Sequence, residues 1–167
     1  GGAGTSTNMN LNEVIANIAL EYLGHEKGQY QYLHPNNDVN MSQSTNDVYP
    51  TAIRLALLFY VDDLIQPLQN LIISFQQKAL EFADILKMGR TQLQDAVPMT
   101  LGQEFAAFGN TLKKDIFHIQ ALVPQTLHGM NLGGTAIGTG INTEAGYAKF
   151  AIEHLSRISG KNLSLAE

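Results

Sequence analysis

Four short segments rich in hydroxyl and amide side chains are the places where this sequence could do chemistry. We predict that they lie in loops at the starts of helices, where free backbone N–H groups add further hydrogen-bond donors. A neutral site of this kind suits an anion, and a carboxylate would fit it well. The alternative is that each segment only caps the helix that follows it. The segments span residues 5–8, 43–46, 90–92 and 135–142.

Other motifs with ligand-binding spacing are incomplete in this sequence. Gly133 and Gly138 have the spacing of a phosphate-binding loop, but Thr139 stands where that loop requires lysine, so we exclude a nucleotide site. His25 and Glu26 begin like the zinc-binding motif H-E-x-x-H, which here has no second histidine. We therefore predict no metal site and no cofactor.

One of the histidines differs from the others in its surroundings. His118, His128 and His154 fall at predicted helix positions, where packing or exposure to solvent accounts for them. His34 is followed by a proline and two asparagines in a segment with the residues of turns and no periodicity. We predict that His34 contacts an anion from this loop.

The overall charge argues against two classes of partner. With 10 Lys and Arg against 15 Asp and Glu, the net charge is -5 and the pI is about 5.5, whereas nucleic acids and anionic membranes attract basic surfaces. No uncharged apolar stretch is long enough to cross a bilayer, and no signal peptide is recognisable, so we predict a cytoplasmic protein. The sequence has no cysteine, which excludes disulfides and thiolate chemistry.

Hydrophobic spacing predicts an all-α fold with two long helices. Apolar residues recur in steps of three and four along 46–82 and 100–130, and the period continues across Pro67 and Pro124, where we expect kinks. Along 46–82 a second apolar stripe runs beside the main one, and the apolar residues of both helices follow a similar series of steps. Because this chain supplies too few partner helices, we predict part of a central helical bundle that self-association completes.

Two shorter helices complete the predicted fold. One is expected over 10–24, with Asn10 and Glu13 as a reciprocal N-terminal cap, and the other over 143–159, capped by Thr143. The first should bury an apolar stripe formed by Val14, Ile15, Ile18, Ala19, Tyr22 and Leu23. No stretch of convincing length alternates with a period of two, so we predict no strand.

Five motifs in a fixed order carry a resemblance to a known family. They are GAGTSTNMNLNEV at 2–14, HPNNDVN at 34–40, SQSTND at 42–47, GRTQLQDA at 89–96 and GGTAIGTG at 133–140. With them the chain resembles the aspartase/fumarase superfamily almost from end to end. The aspartase branch is the closer match, because fumarases usually read S-S-N-D and G-R-T-H where Thr45 and Gln92 depart from that pattern.

The resemblance implies a reversible elimination of ammonia from L-aspartate to give fumarate, without a cofactor. A base removes the proton from the carbon beside the β-carboxylate, which becomes a doubly charged enediolate before the amine leaves. Preorganised neutral donors in a site shielded from water would stabilise that charge. The resemblance also implies a homotetramer whose active sites take loops from three subunits. Fumarate hydration, or a non-catalytic role as a helical oligomerisation fragment, remains the alternative.

The resemblance assigns roles to residues of the polar segments. Thr5, Ser44 and Thr45 would bind the β-carboxylate and its enediolate. Thr5 comes from the first motif, whereas Ser44 and Thr45 come from the third.

The rest of the implied substrate site lies in the third and fourth motifs. Asn46 and Thr91 would hold the amino group and the α-carboxylate, and Gln92 would adjoin them in the place of a histidine found in relatives. His34 and Asn36 resemble the second, peripheral anion site of the family.

One element of the family is not found in this sequence. Its catalytic base is a serine on a loop that reads G-S-S-x-x-M-P-x-K-x-N, so we predict no catalytic base in this chain. Because the sequence opens without methionine on what looks like the middle of a loop, we expect a piece of a longer protein that lacks the family's N-terminal domain and C-terminal part. Residues 1–41 would carry the first substrate loop, a short helix and the peripheral loop, residues 42–142 the bundle helices, and residues 143–167 a terminal helix and tail.

Overall fold

A computed structural model describes residues 2–166, which are predominantly helical, as predicted. The chain divides into two compact units, of which the first combines the residues up to Leu57 with those from Thr126 onward, and the second spans Leu58–Gln125. No helix among the described residues is both long enough and apolar enough to cross a membrane. The helices are α1 (Thr5–Tyr22), α2 (Thr45–Glu81), α3 (Leu101–Thr126) and α4 (Tyr147–Ser159), and the strands are β1 (Leu86–Thr91), β2 (Gln94–Thr100), β3 (Gly129–Met130) and β4 (Ser164–Leu165).

Helix α1 of the first unit begins at Thr5, five residues before the predicted start. The residue before it, Gly4, has φ +91° and lies against the ring of Tyr49, so a side chain at this position would be strained and would clash. The predicted cap of Asn10 and Glu13 is therefore wrong, because both residues lie inside the helix.

The buried face of α1 is also not the predicted one. Its buried residues follow one another at intervals of four, whereas the apolar stripe that the sequence suggested is largely exposed, with Ile18 at 61%. The amides on the buried face donate to Asn40, in the loop before α2, and to Thr45, the first residue of α2, and these bonds orient the helix. The buried residues are Asn8, Asn12, Ala16 and Leu20.

In the second unit, the C-terminal part of α2 packs against α3. Rings of Phe75, Phe82, Phe105 and Phe108 meet with centroids 5.3–6.0 Å apart, and Gly109 allows the backbones to approach because an added Cβ would lie 3.4 Å from the Cβ of Phe75. Helix α2 continues through Pro67, as its period predicted.

A β-hairpin precedes α3, which contradicts the prediction that there are no strands. Strands β1 and β2 pair antiparallel, with a bulge between Met88 and Arg90. The turn residues Gln92 and Leu93 both have positive φ, at 51° and 62°, without the Gly or Asn that usually marks such a turn in a sequence. Lys87 and Gly89 take the less exposed positions of β1, whereas the apolar residues Leu86 and Met88 are exposed, so hydropathy gives no period-two signal for this strand.

The C-terminal region departs from the prediction at both of its helix boundaries. Helix α3 ends at Thr126 rather than at 130, because Gly129 and Met130 form β3, which pairs in parallel with β4. Helix α4 begins at Tyr147 rather than at Thr143, whose hydroxyl donates to the carbonyl of Gly140 at 2.7 Å instead of capping.

Candidate functional site

A reciprocal N-terminal cap fixes the start of α2. The Ser44 hydroxyl accepts a hydrogen bond from the backbone N–H of Asn46 at 3.2 Å, and Asp47 Oδ1 accepts from the backbone N–H of Ser44 at 2.9 Å. The capping alternative therefore holds for Ser44. The cap uses the hydroxyl only as an acceptor, so its own hydrogen can still be donated to a ligand.

The glycine-rich loop, residues 133–140, is bound to the same helix start. Asp47 is fully buried, and its Oδ2 accepts from the backbone N–H groups of Gly133 at 3.2 Å and Thr135 at 3.0 Å. Asn46 Nδ2 donates to the carbonyl of Ala136 at 3.0 Å. Two of the four predicted polar segments thus meet in space.

The first residues of α1 join them through a pair of side chains. Asn8 is buried, and its Nδ2 donates to Thr45 Oγ1 at 3.0 Å. Thr5, the first residue of α1, lies one turn before Asn8 and is exposed. Three of the four polar segments therefore lie together in the first unit.

These contacts determine which hydrogen-bonding groups the site can offer. The oxygen of Thr45 accepts from Asn8, so its hydroxyl hydrogen can point toward a ligand. Asn46 uses its Nδ2 internally, so its Oδ1 is the atom suited to receive a donor such as an ammonium group. Hydroxyl donors beside an amide acceptor match a molecule that carries both a carboxylate and an amine.

Thr91 and Gln92 lie in the second unit, at the end of the β-hairpin. Thr91 ends β1, where it pairs with Gln94, and Gln92 follows it in the turn; both are exposed. Their predicted position at the start of a helix is therefore wrong, because the chain turns back as a strand instead.

His34 caps a π-helical turn, Pro35–Val39, in the first unit. Its Nδ1 accepts from the backbone N–H groups of Asn36 at 3.1 Å and Asn37 at 3.3 Å, and its own backbone N–H donates to Asp38 at 2.6 Å. In this arrangement the ring hydrogen is on Nε2. The backbone N–H groups of Asn36 and Asn37 already donate to Nδ1, and the backbone N–H of His34 donates to Asp38. The anion contact predicted for His34 would therefore be made by Nε2.

Two residues that organise the site were not among the predicted site residues. Asp47 had a recognisable signal, because an acidic residue three positions after Ser44 indicates a reciprocal cap, but the sequence did not show that it also holds the glycine-rich loop. Asn8 had two signals, its place in the first polar segment and its four-residue spacing from Asn12. No three His, Asp or Glu side chains within residues 2–166 are grouped so that they could hold a metal ion.

Tyr147 makes the stability of the folded chain decrease at alkaline pH. Burial raises its pKa above the ordinary value of 10.0, and the negative charge of Asp47 raises it further. The folded state therefore keeps the phenol neutral where the unfolded chain ionises, so stability is complete below pH 10 and falls as the pH rises above it. We expect Tyr147→Phe to reduce this loss, as measured by urea unfolding at about pH 8 and about pH 11. Equal losses in both proteins would contradict the expectation.

Comparisons with known proteins identify the family. The whole chain, residues 1–167, matches the profile of a family described as lyase. It is 66% identical over 166 residues to aspartate ammonia-lyase of Pseudomonas aeruginosa, covering 99% of this chain and 35% of that enzyme. Aspartate ammonia-lyase of Escherichia coli K12 is 56% identical over 160 residues, which cover 96% of this chain and 33% of the enzyme. The chain thus spans about a third of the length of these relatives.

Solved structures lead to the same family. The cobalt-bound crystal structure of the fumarate lyase:delta crystallin from Brucella melitensis superposes with a TM-score of 0.81 at 58% identity, covering 100% of this chain and 36% of that one. A class II fumarase from Schistosoma mansoni gives a TM-score of 0.71 at 36% identity, over 95% of this chain and 34% of the fumarase. Because the match extends over its whole length, the chain belongs to the lyase family of aspartases and fumarases that its motifs indicate.

Proposed function

We propose that this chain carries the substrate-binding part of an aspartate ammonia-lyase, which eliminates ammonia from L-aspartate to give fumarate. The observation that carries the proposal is the meeting of three polar segments at the start of α2, where Thr45 can donate and Asn46 can accept. The identity of 66% to an enzyme of that name supports the same substrate.

The hydrogen-bond donors and acceptors of the site match the substrate groups whose charge changes during this elimination. Removal of the proton beside the β-carboxylate places a second negative charge on that group, which the hydroxyls of Thr5, Ser44 and Thr45 would stabilise. The Oδ1 atom of Asn46 would accept a hydrogen bond from the amino group. In an assembled oligomer, loops of different subunits would bring Thr91 to the amino group and the α-carboxylate of the substrate, with Gln92 beside it.

Fumarate hydration is the second candidate, because a class II fumarase shares this fold at 36% identity. The two activities are distinguished by supplying the full-length protein that contains this chain with L-aspartate and with L-malate, and following the ultraviolet absorbance of fumarate. We expect fumarate from L-aspartate and at most a trace from L-malate. The reverse preference would replace the proposed function with fumarate hydration.

The 167 residues by themselves are expected to show no turnover of L-aspartate. The string that carries the base serine in this family does not occur in the sequence, and removal of a carbon-bound proton requires a positioned base. The same fumarate assay on the purified chain checks this, with the full-length protein as the positive control. Activity that follows the chain through purification would mean that another residue is the base, and His34 and Asp47 would be the first to test.

We also propose that His34 and Asn36 bind a dicarboxylate at a second, peripheral position. The Nε2–H of His34 and the exposed side chain of Asn36 are the donors that the π-helical turn presents there. This site would bind the anion without taking part in the elimination.

Self-association is expected because the helices carry apolar surface that the described residues of one chain do not cover. On α2, Tyr60 is 67% exposed and Leu80 is 81% exposed, while Leu58 and Ile72 are buried. We expect a homo-oligomer, and a tetramer in the full-length protein, by light scattering at micromolar concentration. A compact monomer under these conditions would contradict the prediction.

A further inference from the structure

We propose that Asn8 is a positioning residue that directs the hydroxyl hydrogen of Thr45 toward the substrate. The inference rests on the proposed function, because it concerns how the site would stabilise the enediolate. Asn8 would not touch the substrate in this role. It would act through Thr45.

The contact itself has a fixed direction. Asn8 Nδ2 lies 3.0 Å from Thr45 Oγ1, and Asn8 is only 5% exposed. An amide nitrogen can donate a hydrogen bond and cannot accept one. The hydroxyl oxygen of Thr45 therefore receives a hydrogen from Asn8, and its own hydrogen must point elsewhere.

The orientation of the Asn8 amide is determined by its neighbours. Asn40 Nδ2 donates to the backbone carbonyl of Gln43 at 3.1 Å, which turns Asn40 Oδ1 toward α1. That oxygen accepts from Asn12 Nδ2 at 3.0 Å and from Asn8 Nδ2 at 3.4 Å. The carbonyl of Gln43 thus fixes which atom of the Asn40 amide faces α1, and Asn40 in turn fixes Asn8 with its Nδ2 toward Thr45.

This direction matters because the reaction places negative charge where Thr45 must donate. A hydroxyl that presented its lone pairs to an enediolate would repel it, whereas one that presents its hydrogen stabilises it. Asn8→Asp is nearly the same in shape but replaces the donor with an oxygen. When ionised it would draw the hydroxyl hydrogen of Thr45 inward, away from the substrate.

The test uses the full-length protein and a matched pair of substitutions on α1. Asn12 is as buried as Asn8 and donates to the same oxygen of Asn40, but no hydrogen bond to Thr45 is recorded for it. We expect Asn8→Asp to lower kcat about 100-fold with KM within about threefold. Asn12→Asp should lower the melting temperature comparably and leave kcat within about threefold. Equal losses of kcat would overturn the proposal.

A double-mutant cycle with Thr45→Val separates positioning from general damage to the fold. If Asn8 acts through the Thr45 hydroxyl, Asn8→Ala should lower kcat about tenfold in the wild-type background and less than about twofold once Thr45 is valine. Equal factors in both backgrounds would overturn the proposal. Asn8→Ala adds no charge, so it serves if Asn8→Asp does not fold.

A binding measurement keeps this inference distinct from the proposed function. The dianion of 3-nitropropionate carries a carboxylate and a nitronate group whose negative charge lies on two oxygens, as in an enediolate, and its binding can be followed by calorimetry without turnover. We expect Asn8→Asp to weaken nitronate binding at least about tenfold relative to Asn12→Asp. A wild-type protein that binds the nitronate but does not deaminate L-aspartate would refute the proposed function alone, whereas equal binding by the two variants would refute the role of Asn8.

Discussion

Replacing Thr45 with valine in the full-length protein is expected to lower kcat for L-aspartate about 100-fold while KM stays within about threefold. Valine keeps the shape of threonine and removes only the hydroxyl. That hydroxyl would act on charge which develops in the transition state, and one such donor contributes about 3 kcal/mol. Initial rates of fumarate formation over a range of L-aspartate concentrations measure both constants.

Thr51 provides a matched control for this substitution on the same helix. Its hydroxyl is buried and has no hydrogen-bond partner among the described residues. Thr51→Val should therefore leave kcat unchanged and should leave stability the same or higher, because a buried hydroxyl without a partner is unfavourable. A kcat for Thr45→Val as high as that of Thr51→Val would remove Thr45 from the proposed role.

Asp47→Ala is expected to produce the largest loss of stability, about 4 kcal/mol. The carboxylate is fully buried and accepts from the backbone N–H groups of Ser44, Gly133 and Thr135. Alanine would leave these three donors without their acceptor, and an unpaired buried donor costs about 1–3 kcal/mol. The free energy of unfolding, obtained from urea denaturation of the full-length protein, tests this.

Two further variants identify the cause of that loss. Asp47→Asn retains one acceptor oxygen and should fall between the wild type and Asp47→Ala. Asp63 lies on the same helix and is exposed, so Asp63→Ala should change the free energy of unfolding by less than about 0.5 kcal/mol. If Asp47→Ala proved as mild as Asp63→Ala, the hydrogen bonds of Asp47 would not hold the glycine-rich loop in place.

The spacing of apolar residues predicted the two long helices well but did not predict the β-hairpin that precedes α3. Helix α2 spans Thr45–Glu81 where 46–82 was expected, because apolar residues that recur in steps of three and four over many turns lie on one side of an α-helix. The hairpin at Leu86–Thr100 was missed because its turn residues, Gln92 and Leu93, take left-handed conformations that nothing in their chemistry favours.

Some residues of the candidate site could be predicted from the sequence, but their arrangement could not. Polar composition and motif resemblance identified Ser44, Thr45 and Asn46, but hydrogen bonds across more than thirty residues of sequence determine what those side chains can donate. The buried face of α1 shows the limit most clearly. Hydropathy favoured the face of Ile15 and Ile18, whereas the amides of Asn8 and Asn12 turn a neighbouring face toward Thr45 and the loop before it.

The short parallel pairing of β3 with β4 contributes to the site through chain entropy. The backbone N–H groups of Ser164 and Ala166 donate to the carbonyls of His128 and Met130 at 3.0 and 2.8 Å, which closes residues 131–163 into a loop. A loop closed in this way samples far fewer conformations than the same segment without the strand pairing, so its interior contacts form at a smaller entropic cost. Strand β4 thus assists in holding the glycine-rich loop against Asp47, although no hydrogen bond recorded for its residues reaches either of them.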